Sequence, residues 1–483
     1  MTSLDHRDHV SREEAAVPGE VRRWRAFSLL VVAFFMVVVD LTIVNVALPT
    51  IGRKLHFPES DLQWVVTAYA LTFGGFLLLG GRAADLLGRR RLFMAGLATF
   101  TAASLACALA TSDTFLIIMR GIQGLGAAVL LPAALSIVMN MFSEGAERNK
   151  ALSAWSGIGA TAATVGLLAG GLLVRYAGWQ YIFYLNVPIG AAALLLARRV
   201  VPESRLAGAR RSYDVLGAVT VTGALVMLVY AISQAPTTGW TAIRTLALLA
   251  GSAALLAGFL VIETRAEAPL LPLRLFRLKT LAGSNAVSFL LGASFFSFFF
   301  IGTLYMQQVL GYSALKTGVA WLATSMTALA LAGPAQILVT RASAKLVMAA
   351  GMALVGGAIL WAAQVPVHGH YWANLAGPLF LAGGSTFAFI PVSIGALAGV
   401  DEHDAGVASG LLNTSQQIGG AIGVAVASTI AALTGGFQWA FWVTGLTGLA
   451  AVPVTFLLIR RTEIATAVAT ARQQKPPVPA PAD

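Results

Sequence analysis

The chain has 483 residues, of which 57% are hydrophobic and only 11% charged. A water-soluble chain of this length needs far more charge to cover its surface, so that class is excluded. The net charge of +11 comes from basic residues that alternate along the chain instead of forming a stripe, which argues against nucleic acid as a partner.

Residues 1–25 form a charged tail without an apolar core, so no cleaved signal peptide is expected there. Apolar runs of about 18 or more residues can cross a ~30 Å hydrocarbon layer as helices. They recur at about 26–49, 62–82, 92–111, 114–140, 151–174, 179–200, 215–234, 243–263, 282–306, 317–340, 345–366, 371–399, 405–433 and 437–459. The pattern predicts an all-α, multi-pass membrane protein with fourteen transmembrane helices. With the N-terminus inside, 26 of the 32 lysines and arginines fall in inside segments. Five (Arg53, Lys54, Arg175, Arg244 and Lys316) fall outside, and Arg120 lies within a span. This bias places both termini in the cytoplasm.

Span 1 carries Asp40 and span 4 carries Arg120, an acid and a base placed well inside apolar helices. A charge at the bilayer centre costs roughly 2.5–3.5 kcal/mol on insertion scales, so each is a functional candidate. At 1.5 Å per residue, both sit roughly 9–14 Å below the outer surface. An arginine nearby favours the ionised form of Asp40, whereas desolvation favours the protonated form. A group balanced between the two can load and release a proton. A static ion pair stitching spans 1 and 4 is the alternative.

Loop 2–3 reads Gly81-Arg82-Ala83-Ala84-Asp85-Leu86-Leu87-Gly88-Arg89-Arg90-Arg91. The glycines permit a tight turn and close helix approach. Asp85 beside Arg89 and Arg90 can form charge-assisted hydrogen bonds that break and reform, a conformational latch. A simple positive-inside anchor would need only the arginines. The lone Cys107 excludes an intramolecular disulfide framework. In span 5, a small-residue packing face includes Gly157, Ala160 and Gly170.

The phenylalanine run 295–300 in span 9 reads as lipid-facing or core packing, and His368 and His370 in an outer loop as solvated rather than metal ligands. In span 13, Gly406, Gly410, Asn413, Gln417 and Gly420 fall on one stripe. Its amides either line a substrate cavity or hold helices together at about 0.6 kcal/mol each. The segment 461–483, with Lys475-Pro476-Pro477-Val478-Pro479-Ala480-Pro481, has the composition of a disordered tail.

Two stretches repeat at nearly one offset. Arg91–Gly96 returns as Lys345–Gly351, and Gly124–Pro132 as Gly383–Pro391; spans 1 and 9 start a similar distance apart. A six-helix bundle over 26–200, two inserted helices within 201–281 and a second six-helix bundle over 282–460 account for this.

Gly81-x3-Asp85-x2-Gly88-Arg89-Arg90-Arg91 resembles the loop 2–3 signature of the major facilitator superfamily. Asp40-x-Thr42-Ile43-Val44-Asn45-Val46-Ala47-Leu48-Pro49, Trp64–Tyr69, Phe183–Gly190 and Tyr305–Ser313 resemble its fourteen-spanner drug:proton antiporters. The resemblance covers about 25 to 460. Arg120-x2-Gln123-Gly124-x-Gly126 matches that family's arginine motif, which implies that Asp40 and Arg120 carry the coupling proton. Asn45, Tyr69 and Gln123, with Asn413 and Gln417, become the candidate substrate cavity. The antiporter motif of span 5 keeps Gly166, Gly170 and Gly171, but Leu167 stands where the family has proline. That departure keeps an uptake symporter open, and a non-transporting sensor or scaffold is a further rival.

The resemblance implies a monomeric, proton-coupled exporter of amphipathic small molecules, such as antibiotics or a self-made natural product. It would be neither an enzyme nor dependent on a cofactor or metal, and no Walker-type phosphate loop occurs. Arginine outnumbers lysine and alanine is abundant, which points to a GC-rich bacterial genome and so to a bacterial plasma membrane.

Overall fold

The computed structural model describes residues 18–58, 61–142, 146–203, 214–266, 269–271, 273–341, 343–364, 370–400 and 405–460. Every regular element among them is helical. In chain order these are α1 (Pro18–Leu55), α2 (Trp64–Leu87), α3 (Arg89–Ala108), α4 (Asp113–Met141), α5 (Ala146–Tyr176) and α6 (Tyr181–Val200, interrupted at Leu185). Next come α7 (Val215–Thr238), α8 (Ile243–Arg265), α9 (Lys279–Val309), α10 (Ala314–Arg341), α11 (Ala344–Ala362), α12 (Tyr371–Leu397), α13 (Ala405–Thr434) and α14 (Gln438–Leu458). Thirteen helices among the described residues are long and apolar enough to cross a membrane; within α5 the apolar stretch is the shorter Thr161–Tyr176. The proline-rich tail and His368 lie outside the described residues.

Helix α1 begins at Pro18, earlier than hydropathy predicts. Its polar first turns are held by side chains: Trp24 packs edge-on against Phe27 (5.4 Å) and tilted against Phe142 (5.0 Å), and Arg23 pairs with Glu147 at 3.3 Å. Helicity there follows from packing rather than from an apolar run. Helix α5 runs unbroken for 31 residues, as the absence of a proline allows.

Helices α1–α6 pack on one another, as do α9–α14. The repeated glycines perform matching jobs in both sets. Cβ atoms on Gly96 and Gly351 would overlap main chain of α4 (Gly126, Leu130) and of α12 (Phe387, Ala388) respectively. Likewise Gly124 lies against Tyr69 and Thr72 of α2, and Gly383 against Thr324 and Thr327 of α10. Only glycine permits such close helix approach. The phenylalanine run packs inward: Phe298 and Phe300 are buried, and Phe299 stacks on Trp321 at 3.9 Å.

Three seams join the two sets. Helices α5 and α10 touch where Gly171 meets Leu315 and Gly318 meets the Leu167 carbonyl. Gln307 Nε2 of α9 donates to Val46 O of α1 at 2.8 Å. Between α2 and α13, Thr414 Oγ1 donates to Gly74 O at 3.0 Å. The α7–α8 pair lies beside the α2–α13 seam: Thr222 presses on Gly75, and Thr429 Oγ1 of α13 donates to Ile232 O of α7 at 3.2 Å.

Candidate functional site

Helix α4 sets the frame of the site. Ser112 caps its first turn by accepting from Phe115 N at 3.3 Å. Arg120 and Gln123, three residues apart, then project from one face. That face meets α1, α2, α3 and α6, so a single cluster draws on five helices.

Asp40 and Arg120, which the sequence places only at similar depth, are in direct contact. Arg120 Nη1 donates to Asp40 Oδ2 at 2.6 Å, and the two residues are 1% and 0% exposed. Asp40 Oδ1 accepts two further bonds, from Gln123 Nε2 (2.9 Å) and Asn186 Nδ2 (2.9 Å). Gln123 also donates to Ser104 Oγ at 2.8 Å and accepts from Arg120 Nη1 at 2.6 Å. Arg120 Nε donates to Val65 O at 2.9 Å, while the guanidinium lies 4.4 Å from the Tyr69 ring centroid. Buried charges persist when they are paired and their remaining hydrogen-bonding capacity is met, as here. The Tyr69 hydroxyl is the exception in this cluster, buried without a partner.

The structure divides the proposed cavity residues. Tyr69 and Gln123 belong to the Asp40 cluster. Asn45 bonds back to Leu41 O of its own helix at 2.9 Å. On α13, exposed Asn413 bonds to Ser409 O at 3.0 Å, whereas buried Gln417 sits against Gly74 of α2. Among the span 5 glycines, Gly166 and Gly170 receive Thr42 and Ile43 of α1, and Gly171 faces α10.

In loop 2–3, Gly88 has φ +112°, a conformation that demands glycine between α2 and α3. Close approach to α4 falls to Gly80, whose Cβ would overlap Ala128, rather than to Gly81, which has ordinary contact with Pro132 at 3.5 Å. The side chain of Asp85 is outside the described residues. Arg90 finds a partner that sequence reasoning missed: Glu203, beyond α6, accepts from Arg90 N at 3.2 Å and lies within 3.8 Å of Arg91 Nε. Buried Arg89 is also engaged.

Asn186 and Ser104 are the other residues missed. Asn186 lies inside the motif Phe183–Gly190, which signalled the family but not the contact. Ser104 left no signal, since one hydroxyl in an apolar helix is ordinary.

The family model described as Major Facilitator Superfamily matches residues 30–424 and, again, 286–482. The chain belongs to the major facilitator superfamily. It is 38% identical over 410 residues to a cephamycin export protein from Amycolatopsis lactamdurans, covering 84% of each chain. It is also 38% identical over 428 residues to a puromycin resistance protein from Streptomyces alboniger, covering 86% of this chain and 84% of that one. The crystal structure of the POT family transporter PepTSo superposes with a TM-score of 0.66 at 14% identity, covering 92% and 98% of the two chains. That likeness concerns the fold. Members of the superfamily are transporters rather than enzymes, and this one is a multi-pass membrane protein.

Proposed function

We propose that this major facilitator protein exports amphipathic small molecules of the antibiotic class from a bacterial cytoplasm by proton-coupled alternating access. It crosses the plasma membrane fourteen times as a monomer, with both termini cytoplasmic, α1–α6 and α9–α14 as the moving bundles and α7–α8 as the insertion. The carrying observation is the closed Asp40–Arg120–Gln123–Asn186 network, fully buried inside one bundle. Export as the direction rests on the export and resistance proteins to which the chain is similar.

Asp40 accepts three donors, so both carboxylate oxygens are engaged while it is ionised. Oδ2 accepts only from Arg120, so its second lone pair can take a proton, which removes the charge that holds Arg120. Arg120 then keeps Val65 O and Gln123 Oε1 but loses its anionic partner. Proton binding therefore repacks α1, α4 and α6 together, which links protonation to conformation. Tyr69, Asn45, Asn413 and Gln417 are assigned to the substrate path. Gly81, Asp85, Gly88, Arg89 and Arg90 form the cytoplasmic latch. Each proton moved down 100 mV supplies about 2.3 kcal/mol. At 1.4 kcal/mol per tenfold, that sustains a gradient on the order of fifty-fold.

The test compares wild type with Asp40→Asn in a host lacking its own pumps, by antibiotic resistance and by substrate uptake into inverted vesicles under an imposed pH gradient. Loss of gradient-driven uptake and of resistance, with expression retained, is the expected result. Undiminished activity in Asp40→Asn would remove Asp40 from the coupling. Depletion instead of accumulation in the vesicles would reverse the direction.

A further inference from the structure

A pair of acids lies far along the chain from Asp40, where the α7–α8 hairpin meets the segment leading into α9. Asp214 caps α7, accepting from Gly217 N through Oδ1 at 2.7 Å. Its other oxygen, Oδ2, is buried without a hydrogen-bond partner. Glu263, two residues before the end of α8, accepts from Leu271 N through Oε2 at 3.1 Å, and its Oε1 is likewise buried and unpartnered. The residues are 7% and 4% exposed, and the bond from Ser252 Oγ of α8 to Ala224 O of α7 at 2.8 Å sets an antiparallel register that brings the Asp214 end of α7 to the Glu263 end of α8. Each acid thus turns one satisfied oxygen to the backbone and one orphaned oxygen into the same enclosed space.

Two ionised carboxylates in such a space repel each other and leave two buried acceptors without donors, a costly arrangement. Among the described residues, no cation forms an ion pair with either acid. Arg265 on α8, Arg277 on the connecting segment and Lys279 on α9 are all exposed, and none acts on Glu263. The groups that do are Asp214 and the amides of Leu271 and Leu270. One proton resolves the conflict: placed on one orphaned oxygen, it is donated to the other, and both acceptors are satisfied.

We infer that Asp214 and Glu263 form a second proton-binding site, in which one proton drawn from water is shared between Glu263 Oε1 and Asp214 Oδ2. The site stands apart from Asp40 and does not depend on the transport cycle proposed above. Its position gives it leverage. Glu263 holds Leu271, and Leu271 packs with the cluster of Leu275, Leu281, Ala408 and Leu411, which ties the segment to α9 and α13. Loss of the proton drives the carboxylates apart and loosens this tie, so the pair reports the pH on the side of loop 2–3 to the second bundle.

The experiment is infrared titration of full-length protein in lipid nanodiscs, following the carbonyl band of protonated carboxyl groups. Wild type and Asp40→Asn should both retain the band at neutral pH. Glu263→Gln should lose it, and Asp214→Asn should weaken it at neutral pH, because burial and then the neighbouring Asp214 keep the proton on Glu263. The folded state then binds a proton that the unfolded chain has released, so thermal stability falls as pH rises through the titration. That fall should be absent from Glu263→Gln and move to lower pH in Asp214→Asn. If one variant fails to fold, the other decides. A band at neutral pH that survives both substitutions, or is absent from wild type, overturns the inference. So does a pair that is ionised until added magnesium raises the melting temperature, which would make it a cation site.

Discussion

At the seam of α5 and α10 the contact is made by glycine, and a single methyl group tests what the seam does. A Cβ on Gly171 would lie 2.6 Å from Leu315 Cα and 3.0 Å from Ala314 O. Non-bonded carbons rest at about 3.5–4.0 Å, so the helices must part by roughly 1 Å. Both neighbours are main chain, and no rotamer change relieves the overlap. Overpacking of this kind costs about 1–3 kcal/mol. The helix propensity gained on replacing glycine by alanine, ~1 kcal/mol, is present whether the seam is closed or open and cancels from their ratio. Gly171→Ala should therefore shift the equilibrium toward the parted seam by roughly 5–150-fold. Spin labels on Tyr176→Cys and Lys316→Cys, both exposed near the seam, report the separation by electron paramagnetic resonance. Cys107 is buried and leaves the labelling confined to the introduced sites. Gly333→Ala on α10 is the control, since nothing lies within 4 Å of its Cβ. Longer distances in Gly171→Ala alone are expected. An unchanged distribution in folded Gly171→Ala, or the same change in Gly333→Ala, refutes the role of the seam.

Other substitutions reach the remaining contacts. Asn186→Leu removes one of three donors to the Asp40 carboxylate, worth about 1.5–3 kcal/mol for a bond to a charged group. Proton-driven efflux in proteoliposomes should fall at least tenfold, and an unaltered rate would show that Asn186 is a bystander. Gln307→Leu deletes the bond to Val46 O, about 1 kcal/mol, and should raise the parted population about fivefold by the same spin-label readout. No change would assign that seam to packing alone. Gly351→Ala forces a side chain into the main chain of Phe387 and Ala388 and should destabilise the protein by about 1–3 kcal/mol. Its melting temperature should drop below that of Gly357→Ala, where nothing lies within 4 Å. Equal melting temperatures would remove Gly351 from the packing of the repeat.

The class of molecule is written in one-dimensional signals. Apolar runs long enough for a bilayer, separated by basic loops, register in composition and need no knowledge of neighbours. Asp40 and Arg120 were legible for the same reason: a charge in an apolar helix stands out without reference to its partner. The motif residues, the paired glycines of the repeat and the unbroken α5 were similarly within reach. Contact, by contrast, emerges only from the fold. Ser104 and Asn186 are ordinary polar residues until the register of α3 and α6 aims them at Asp40 and Gln123, and no periodicity encodes that register. Glu203 finds Arg90, and Glu263 finds Asp214, across 113 and 49 positions of chain. A helix end rich in charge looks solvated in sequence, and only packing shows that Glu263 is enclosed. Hydropathy reports the environment a segment prefers, whereas which buried polar atoms meet is decided by how the helices pack.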